Sequence, residues 1–149
     1  MTTGGTLLLA GGGHSHSLLL KRWAMRPERR PQQSITLINR SSTALYSGMV
    51  PGLIAGLYQH EQVEVDLRDL AELAGVALVV AEIVGLDCEA RRLQLRGRPD
   101  LPYDYLSLNL GAVTRATPRA VHGLMPIKPL ERSWRGPVVA GRPALVPAV

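Results

Sequence analysis

The sequence predicts an α/β fold built on a parallel sheet, because two strand-like runs flank a glycine-rich turn and a helical pattern. The runs Thr6–Ala10 and Ser34–Asn39 are short and rich in aliphatic or β-branched residues, which is typical of buried strands. Three glycines at 11–13 follow the first run, and residues 18–25 have the apolar spacing of a helix. Strand, helix and strand together match the roughly 30 residues of a βαβ unit, so the two strands should be parallel.

Further segments predict the rest of this domain. Residues 46–58 predict a Gly/Pro-rich loop that leads into a short helix, and residues 63–74 predict a helix. The apolar run 76–84 predicts one strand, residues 85–96 a β-hairpin or meander, and residues 103–110 a final buried strand.

The character of the sequence changes near its end. Six prolines fall within residues 117–149, and no periodic pattern continues there. We therefore expect a truncated, partial domain over residues 1–116 and an irregular tail rich in Pro, Gly and Arg over residues 117–149.

The composition excludes several classes of function. The formal net charge is +5, but the arginines are scattered and aromatic residues make up only 4%, so no nucleic-acid partner is expected. The single cysteine, Cys88, cannot form an internal disulfide or a cysteine-based metal site. No run approaches the roughly 20 apolar residues of a membrane-spanning helix, and the first residues lack a signal-peptide pattern. We expect no integral membrane segment and a cytoplasmic location.

The glycine-rich turn is the first candidate site. Gly11 permits a tight turn, and Gly13 lets the backbone approach a pyrophosphate. The helix that follows, with Ser15 or Ser17 as its cap, would offer N–H groups and a partial positive charge to the phosphates. His16 takes the third position of the Gly-x-Gly-x-x-Gly pattern, where a small residue normally lets helix and strand pack closely.

Two other interpretations of this turn stay open on local grounds. The turn can be purely structural, or His14 and His16 can indicate a metal. Two imidazoles two residues apart make a poor metal site without a third ligand, and none is evident nearby. No metal site is therefore predicted.

The end of the second strand departs from the usual dinucleotide-binding pattern. An acidic residue normally lies there and bonds the ribose hydroxyls, but here the strand ends with Asn39 and Arg40. Asn39 can still hydrogen-bond a hydroxyl, and Arg40 can pair with a phosphate or stack on adenine. The identity of the dinucleotide is therefore not set by these two residues.

Four segments together resemble a known family. They are GGGHSH at the turn, SITLINR at the second strand, TALYSGMVPGLIAGLY and VDLRDLAELAG. They are similar to the pyridine nucleotide-disulfide oxidoreductase superfamily, and most of all to the NADH dehydrogenase-like flavoproteins found fused to selenide, water dikinase. The resemblance implies a Rossmann-like FAD-binding fold. It also implies an oxidoreductase in which the flavin carries the redox step, so no catalytic side chain is predicted.

The resemblance also implies which positions would contact FAD. The turn and the start of the helix would hold the pyrophosphate, and the end of the second strand would lie at the adenosine ribose. A Gly/Pro loop would lie beside the flavin ring, a later strand would meet adenine, and a glycine after the last strand would approach FAD. The implied residues are Gly11, Gly12, Gly13, His14, Ser15, His16, Asn39, Arg40, Ser47, Gly48, Met49, Pro51, Ile83 and Gly111.

The predicted function is therefore the FAD-binding portion of a flavin-dependent NAD(P)H oxidoreductase. Family members continue with a second Rossmann unit for NAD(P)H, and this sequence has no second glycine pattern, so NAD(P)H is expected only in a full-length relative. The expected partners are FAD and the missing remainder of the enzyme or a dikinase domain. The alternative is a non-catalytic nucleotide-binding or interaction module, a decayed remnant of such an enzyme.

Overall fold

The computed structural model describes residues 4–112, and within them the chain alternates strands and helices. The strands are β1 (Thr6–Ala10), β2 (Ser34–Asn39), β3 (Thr43–Leu45), β4 (Glu64–Asp66), β5 (Ala77–Val80), β6 (Ile83–Asp87), β7 (Arg92–Leu95), β8 (Leu101–Pro102) and β9 (Tyr105–Leu108). The α-helices are α1 (His14–Met25), α2 (Val50–Ile54), α3 (His60–Val63) and α4 (Leu67–Leu73), and 3-10 turns cover Pro27–Arg29 and Ser47–Met49.

The described residues fall into two compact units. The first contains residues 4–44 and 65–110, and the second contains residues 45–64 and 111–112. Strands β3 and β4 form a two-stranded sheet where the chain leaves the first unit and returns to it. The predicted boundary between a domain at 1–116 and a tail at 117–149 lies outside the described residues and stays a prediction.

A four-stranded sheet in the order β5-β2-β1-β9 forms the centre of the first unit. All three neighbouring pairs are parallel, with Thr6 opposite Ser34 and Ala10 opposite both Ile38 and Leu108. The βαβ unit predicted from the first two apolar runs is therefore confirmed, with both strands at their expected bounds. Because β2 and β9 lie on opposite sides of β1, the direction of strand addition reverses at β1.

One face of this sheet packs against helices α1 and α4. Leu9 and Leu37 are almost completely buried there, against Leu20 and Trp23 of α1 and Leu67 of α4. The other face packs against a three-stranded antiparallel sheet in the order β6-β7-β8. Both faces of β1 and β2 are covered, and β1 carries the nearly continuous apolar sequence expected of a buried parallel strand.

The single strand predicted over residues 76–84 is wrong. The structure divides it into β5, in the parallel sheet, and β6, in the antiparallel sheet. Ala81 ends the parallel pairing by donating its N–H to the carbonyl oxygen of Asn39 at 2.9 Å, and the chain then enters the hairpin of β6 and β7. Both strands are apolar, so hydrophobicity alone does not reveal the break between two sheets.

The predicted helix over residues 63–74 is also divided. Helix α3 ends at Val63, β4 follows, and α4 begins only at Leu67. The carboxylate of Asp66 accepts hydrogen bonds from the N–H groups of Arg68 at 2.8 Å and Asp69 at 3.1 Å. This N-cap satisfies donors that the first turn of a helix leaves without partners, and it sets where α4 begins.

Burial predicts which leucines stabilise the fold. Leu37 in β2 is fully buried, so Leu37→Ala should lower the free energy of unfolding by about 2–5 kcal/mol through lost burial and a residual cavity. Leu73, at the end of α4, is 71% exposed, and Leu73→Ala should change this free energy by less than about 0.5 kcal/mol. Urea unfolding of both variants measures the contrast, and equal losses would contradict the assigned core.

Candidate functional site

The glycine-rich turn lies at the carboxyl edge of the parallel sheet, between β1 and α1. Gly11 donates its N–H to the carbonyl oxygen of Ile38 at 2.7 Å, and its φ of +92° lies in the region that favours glycine. Helix α1 starts at once, with Gly13 as its N-cap and no side chain capping it. The predicted caps Ser15 and Ser17 are therefore wrong: the helix begins before them, and the Ser17 hydroxyl donates to the carbonyl oxygen of Gly12 at 3.2 Å.

Each glycine of the turn lies in close contact with another part of the first unit. A Cβ atom on Gly11 would collide with the backbone carbonyl of Asn109. A Cβ on Gly13 would collide with the Asn109 side chain and lie 2.9 Å from its carbonyl oxygen. A Cβ on Gly12 would collide with the side chain of Leu67. Contacts with the Asn109 backbone thus require glycine at positions 11 and 13, whereas at position 12 only the end of the Leu67 side chain would have to move.

His16 connects α1, the turn and β9. Its side chain is buried, with Nδ1 2.6 Å from the carbonyl oxygen of Gly11 and Nε2 2.8 Å from the hydroxyl oxygen of Ser107. Because a carbonyl only accepts, Nδ1 carries the proton, and Nε2 accepts a hydrogen bond from the Ser107 hydroxyl. Burial lowers the pKa of His16 below its ordinary value, and the hydrogen bond to Gly11 opposes this effect.

The three predicted cofactor contacts at the start of α1, His14, Ser15 and His16, differ in exposure. Both of its ring nitrogens bond within the protein, so its imidazole fills the space that a small residue would leave in the usual pattern. His14 and Ser15 precede it in the first turn of α1, and both side chains are exposed. The structure therefore places the side chains of His14 and Ser15 toward solvent and the side chain of His16 in the interior.

Asn39, at the end of β2, fixes the other side of the turn. Its side-chain oxygen accepts the N–H of Gly12 at 3.0 Å, and its side-chain nitrogen donates to the carbonyl oxygen of Ser41 at 2.9 Å. An aspartate could accept the first of these bonds but could not donate the second. The next residue, Arg40, is exposed.

Asn109 and Asp104 are site residues that the sequence analysis did not identify. The Asp104 carboxylate accepts the N–H of Thr6 at 2.6 Å, and its own N–H donates to the Thr6 carbonyl at 3.0 Å. These bonds fix the start of β9 against β1. At the other end of β9, Asn109 donates its N–H to the carbonyl oxygen of Ala10 at 2.7 Å and so lies beside the glycine turn.

The residues predicted beside the flavin ring belong to the second unit. Ser47, Gly48 and Met49 form a 3-10 turn, and Pro51 lies in the first turn of α2, where its fixed φ suits a helix start. Ser47, Gly48 and Pro51 are exposed, whereas Met49 is half-buried. Their role beside a flavin stays a prediction.

Two further predicted contacts lie on strand ends. Ile83 begins β6, opposite Leu95, and its half-buried side chain packs at the periphery of the core between the two sheets. Gly111 follows β9 by three residues and has a φ of +77°, a conformation that favours glycine. The roles of both positions as cofactor contacts stay predictions.

Within residues 4–112, no three or more His, Cys, Asp or Glu side chains come together as a metal site would require. None of the helices in the same range is both long and apolar enough to cross a bilayer.

Comparison with known proteins identifies the fold. No protein-family model matches the sequence, and no curated protein matches it. Solved structures do: one is the reduced CoADR-RHD of Bacillus anthracis, 16% identical with a TM-score of 0.63 over 78% of this chain and 22% of that one. The chain has the Rossmann-like fold of an FAD-binding domain.

Two further solved structures are similar in fold. The sulfide:quinone oxidoreductase of the hyperthermophilic bacterium Aquifex aeolicus is 22% identical, with a TM-score of 0.55 over 68% of this chain and 23% of that one. NDH2 from Plasmodium falciparum, in complex with NADH, is 18% identical, with a TM-score of 0.58 over 74% and 23%. This chain spans less than a quarter of the length of each of the three.

The buried His16 predicts how stability depends on pH. Its pKa is lowered in the folded state, so the unfolded chain takes up this proton first as the pH falls below 6.5. The His16 contribution to stability is therefore complete above that pH and declines as the pH falls toward the folded-state pKa. The loss of unfolding free energy caused by His16→Gln should be larger at about pH 8 than at about pH 5, measured by urea unfolding. A loss that does not vary with pH would contradict the assignment.

Proposed function

We propose that this chain provides the FAD-binding portion of a flavin-dependent NAD(P)H oxidoreductase of the NADH dehydrogenase-like type. The observation that carries the proposal is the position of the glycine turn, at the carboxyl end of β1 and the amino end of α1. In open α/β sheets, ligands bind outside the carboxyl ends of the strands, where the direction of strand addition reverses. The order β5-β2-β1-β9 reverses at β1, where the turn lies.

The electrostatics of the turn support an anionic ligand. The N–H groups in the first turn of a helix have no intrahelical partners, and the helix dipole adds a partial positive charge there. The first turn of α1 contains no acidic residue, so nothing in it competes with a phosphate for this charge. A pyrophosphate fits such a helix start.

The residues at the end of β2 match the usual ribose-binding pattern less closely than the turn matches a pyrophosphate site. The side-chain oxygen of Asn39 is already bonded to Gly12, so it is not available to the ribose in the way that a free carboxylate would be. Arg40, exposed directly after β2, is the residue that we propose to lie along the adenosine half. This site would then hold FAD chiefly through the pyrophosphate.

The bound FAD would supply the redox chemistry, and this chain would position it. We propose that NAD(P)H binds to polypeptide that complements this chain, because the chain spans only 22% to 30% of the neighbouring structures. The remainder of the enzyme, or a selenide, water dikinase domain as in the flavoproteins that the sequence resembles, is the proposed partner. A cytoplasmic location belongs to the same proposal.

One observation favours a second candidate. Since packing against the Asn109 backbone already requires glycine at positions 11 and 13, the turn does not by itself imply a ligand. The second candidate is a non-catalytic nucleotide-binding or interaction module that keeps the fold of a flavoenzyme. It predicts that the purified protein is colourless and does not bind added FAD.

A charge placed in the first turn of α1 separates ligand binding from folding. Ser15 is exposed, and Ser15→Glu should stabilise α1 by about 0.3–1 kcal/mol, because an acid favours a helix N-terminus. The same carboxylate should repel a pyrophosphate and raise the dissociation constant for FAD by about ten-fold, or about 1.4 kcal/mol. Titration with FAD, followed by flavin fluorescence, measures the affinity, and thermal unfolding measures the stability.

Ser34→Glu is the matched control for this titration. Ser34 is exposed at the first residue of β2, about 16 Å from the end of the strand and at the opposite edge of the sheet. The control should bind FAD as the parent does. Equal affinity in the parent and Ser15→Glu would remove the pyrophosphate from the start of α1, and no binding by the parent would favour the second candidate.

A further inference from the structure

We propose that the helical face of the first unit binds a second copy of this chain, with α1 of each copy packed on α4 of the other. The helical face consists of the outward side chains of α1 and α4, which lie side by side over one side of the parallel sheet. Its outward surface carries both apolar side chains and opposite charges. This binding is independent of FAD and of the proposed function.

Helix α1 has apolar residues on two opposite sides. Leu20 and Trp23 are buried against the sheet, whereas Leu18 and Met25 are 48% and 71% exposed. Residues seven apart lie on one side of a helix, about 10 Å apart along its axis, so Leu18 and Met25 form one outward row. Leu73, at the end of α4, is exposed on the same helical face. Since the first unit buries none of these three side chains, only a partner can remove them from water.

The two helices carry charges of opposite sign. Helix α1 contains no acidic residue, and Lys21 and Arg22 are exposed beside its apolar row. Helix α4 exposes two acidic residues, Asp69 and Glu72, and one basic residue, Arg68. Within residues 4–112, none of these five side chains forms an ion pair. The charges of the helical face are therefore available to a partner.

This arrangement of charges favours a second copy over a polyanion. A nucleic acid or an anionic lipid surface would attract α1 but would repel the adjacent Asp69 and Glu72. A second copy presents both signs. A two-fold axis that lies in the interface, parallel to the helices and between them, places α1 of each copy on α4 of the other. The basic residues of α1 then lie opposite acidic residues twice in each dimer, and the outward apolar side chains are covered.

The size of the helical face sets the expected affinity. Helices α1 and α4 contain 12 and 7 residues, so the face is short. It is smaller than the roughly 800 Å² that each partner buries in a stable interface of standard size. We therefore expect a dimer that dissociates in the micromolar range. Added salt should weaken this dimer further, because ions screen the charged contacts.

Two charge reversals, studied alone and mixed, test the proposed dimer by sedimentation equilibrium. Lys21→Glu and Glu72→Lys each place like charges in contact at two positions of the symmetric dimer, so each alone should raise the dissociation constant about ten-fold. In an equimolar mixture, the new glutamate of one variant lies opposite the new lysine of the other, and the unchanged Lys21 lies opposite the unchanged Glu72. The mixture should therefore form heterodimers with nearly the affinity of the parent.

The matched controls are Arg98→Glu and Glu89→Lys, which reverse exposed charges in the turns of the antiparallel sheet, on the other side of the parallel sheet. Alone or mixed, both should associate as the parent does, and thermal unfolding should confirm that every variant is folded. A parent chain that stays monomeric at about 0.5 mM overturns the proposal. A mixture of Lys21→Glu and Glu72→Lys that associates no more than either variant alone also overturns it.

Discussion

Thr6 and Asp104 are 98 residues apart in the chain, yet the Asp104 carboxylate accepts the Thr6 N–H at 2.6 Å and aligns β9 beside β1. From this alignment the parallel pairing runs to Ala10 and Leu108, and the residues that follow each strand meet at one edge of the sheet. The entropic cost of closing so long a loop grows only slowly with its length, so the pairing of two strands can offset it. The glycine turn, His16 and Asn109 depend on this pairing for their positions.

Hydrogen bonds from polar side chains fix the conformation of the glycine turn. His16 occupies the third position of the glycine pattern and bonds both Gly11 and Ser107, while Asn39 bonds Gly12 from the other side. A buried imidazole with both nitrogens bonded avoids the free-energy cost of an unsatisfied polar group. The helix and the sheet are therefore joined by specific hydrogen bonds where close contact of small residues is usual.

The sequence-based prediction was most accurate where a single periodic pattern matches a single element. The bounds of β1 and β2 agree with their apolar runs, and the βαβ unit and the hairpin follow from turn residues and spacing. It was least accurate where one apolar run supplies two structures, as in residues 76–84, because burial in two different sheets produces the same composition. The start of α1 was placed too late because serines are common caps, whereas here Gly13 is the N-cap.

The sequence by itself determined the fold class, the glycine turn between β1 and α1, and the absence of an acid after β2, since these depend on neighbouring residues. Only the tertiary structure decided what surrounds the turn: the strand order that reverses at β1, the imidazole bonded on both sides, and the asparagine that lies over Gly13. The physical reason is the separation along the chain of the residues that interact. Turn geometry and helix starts follow from local conformational preferences, whereas β9 reaches β1 only through the folding of the whole unit.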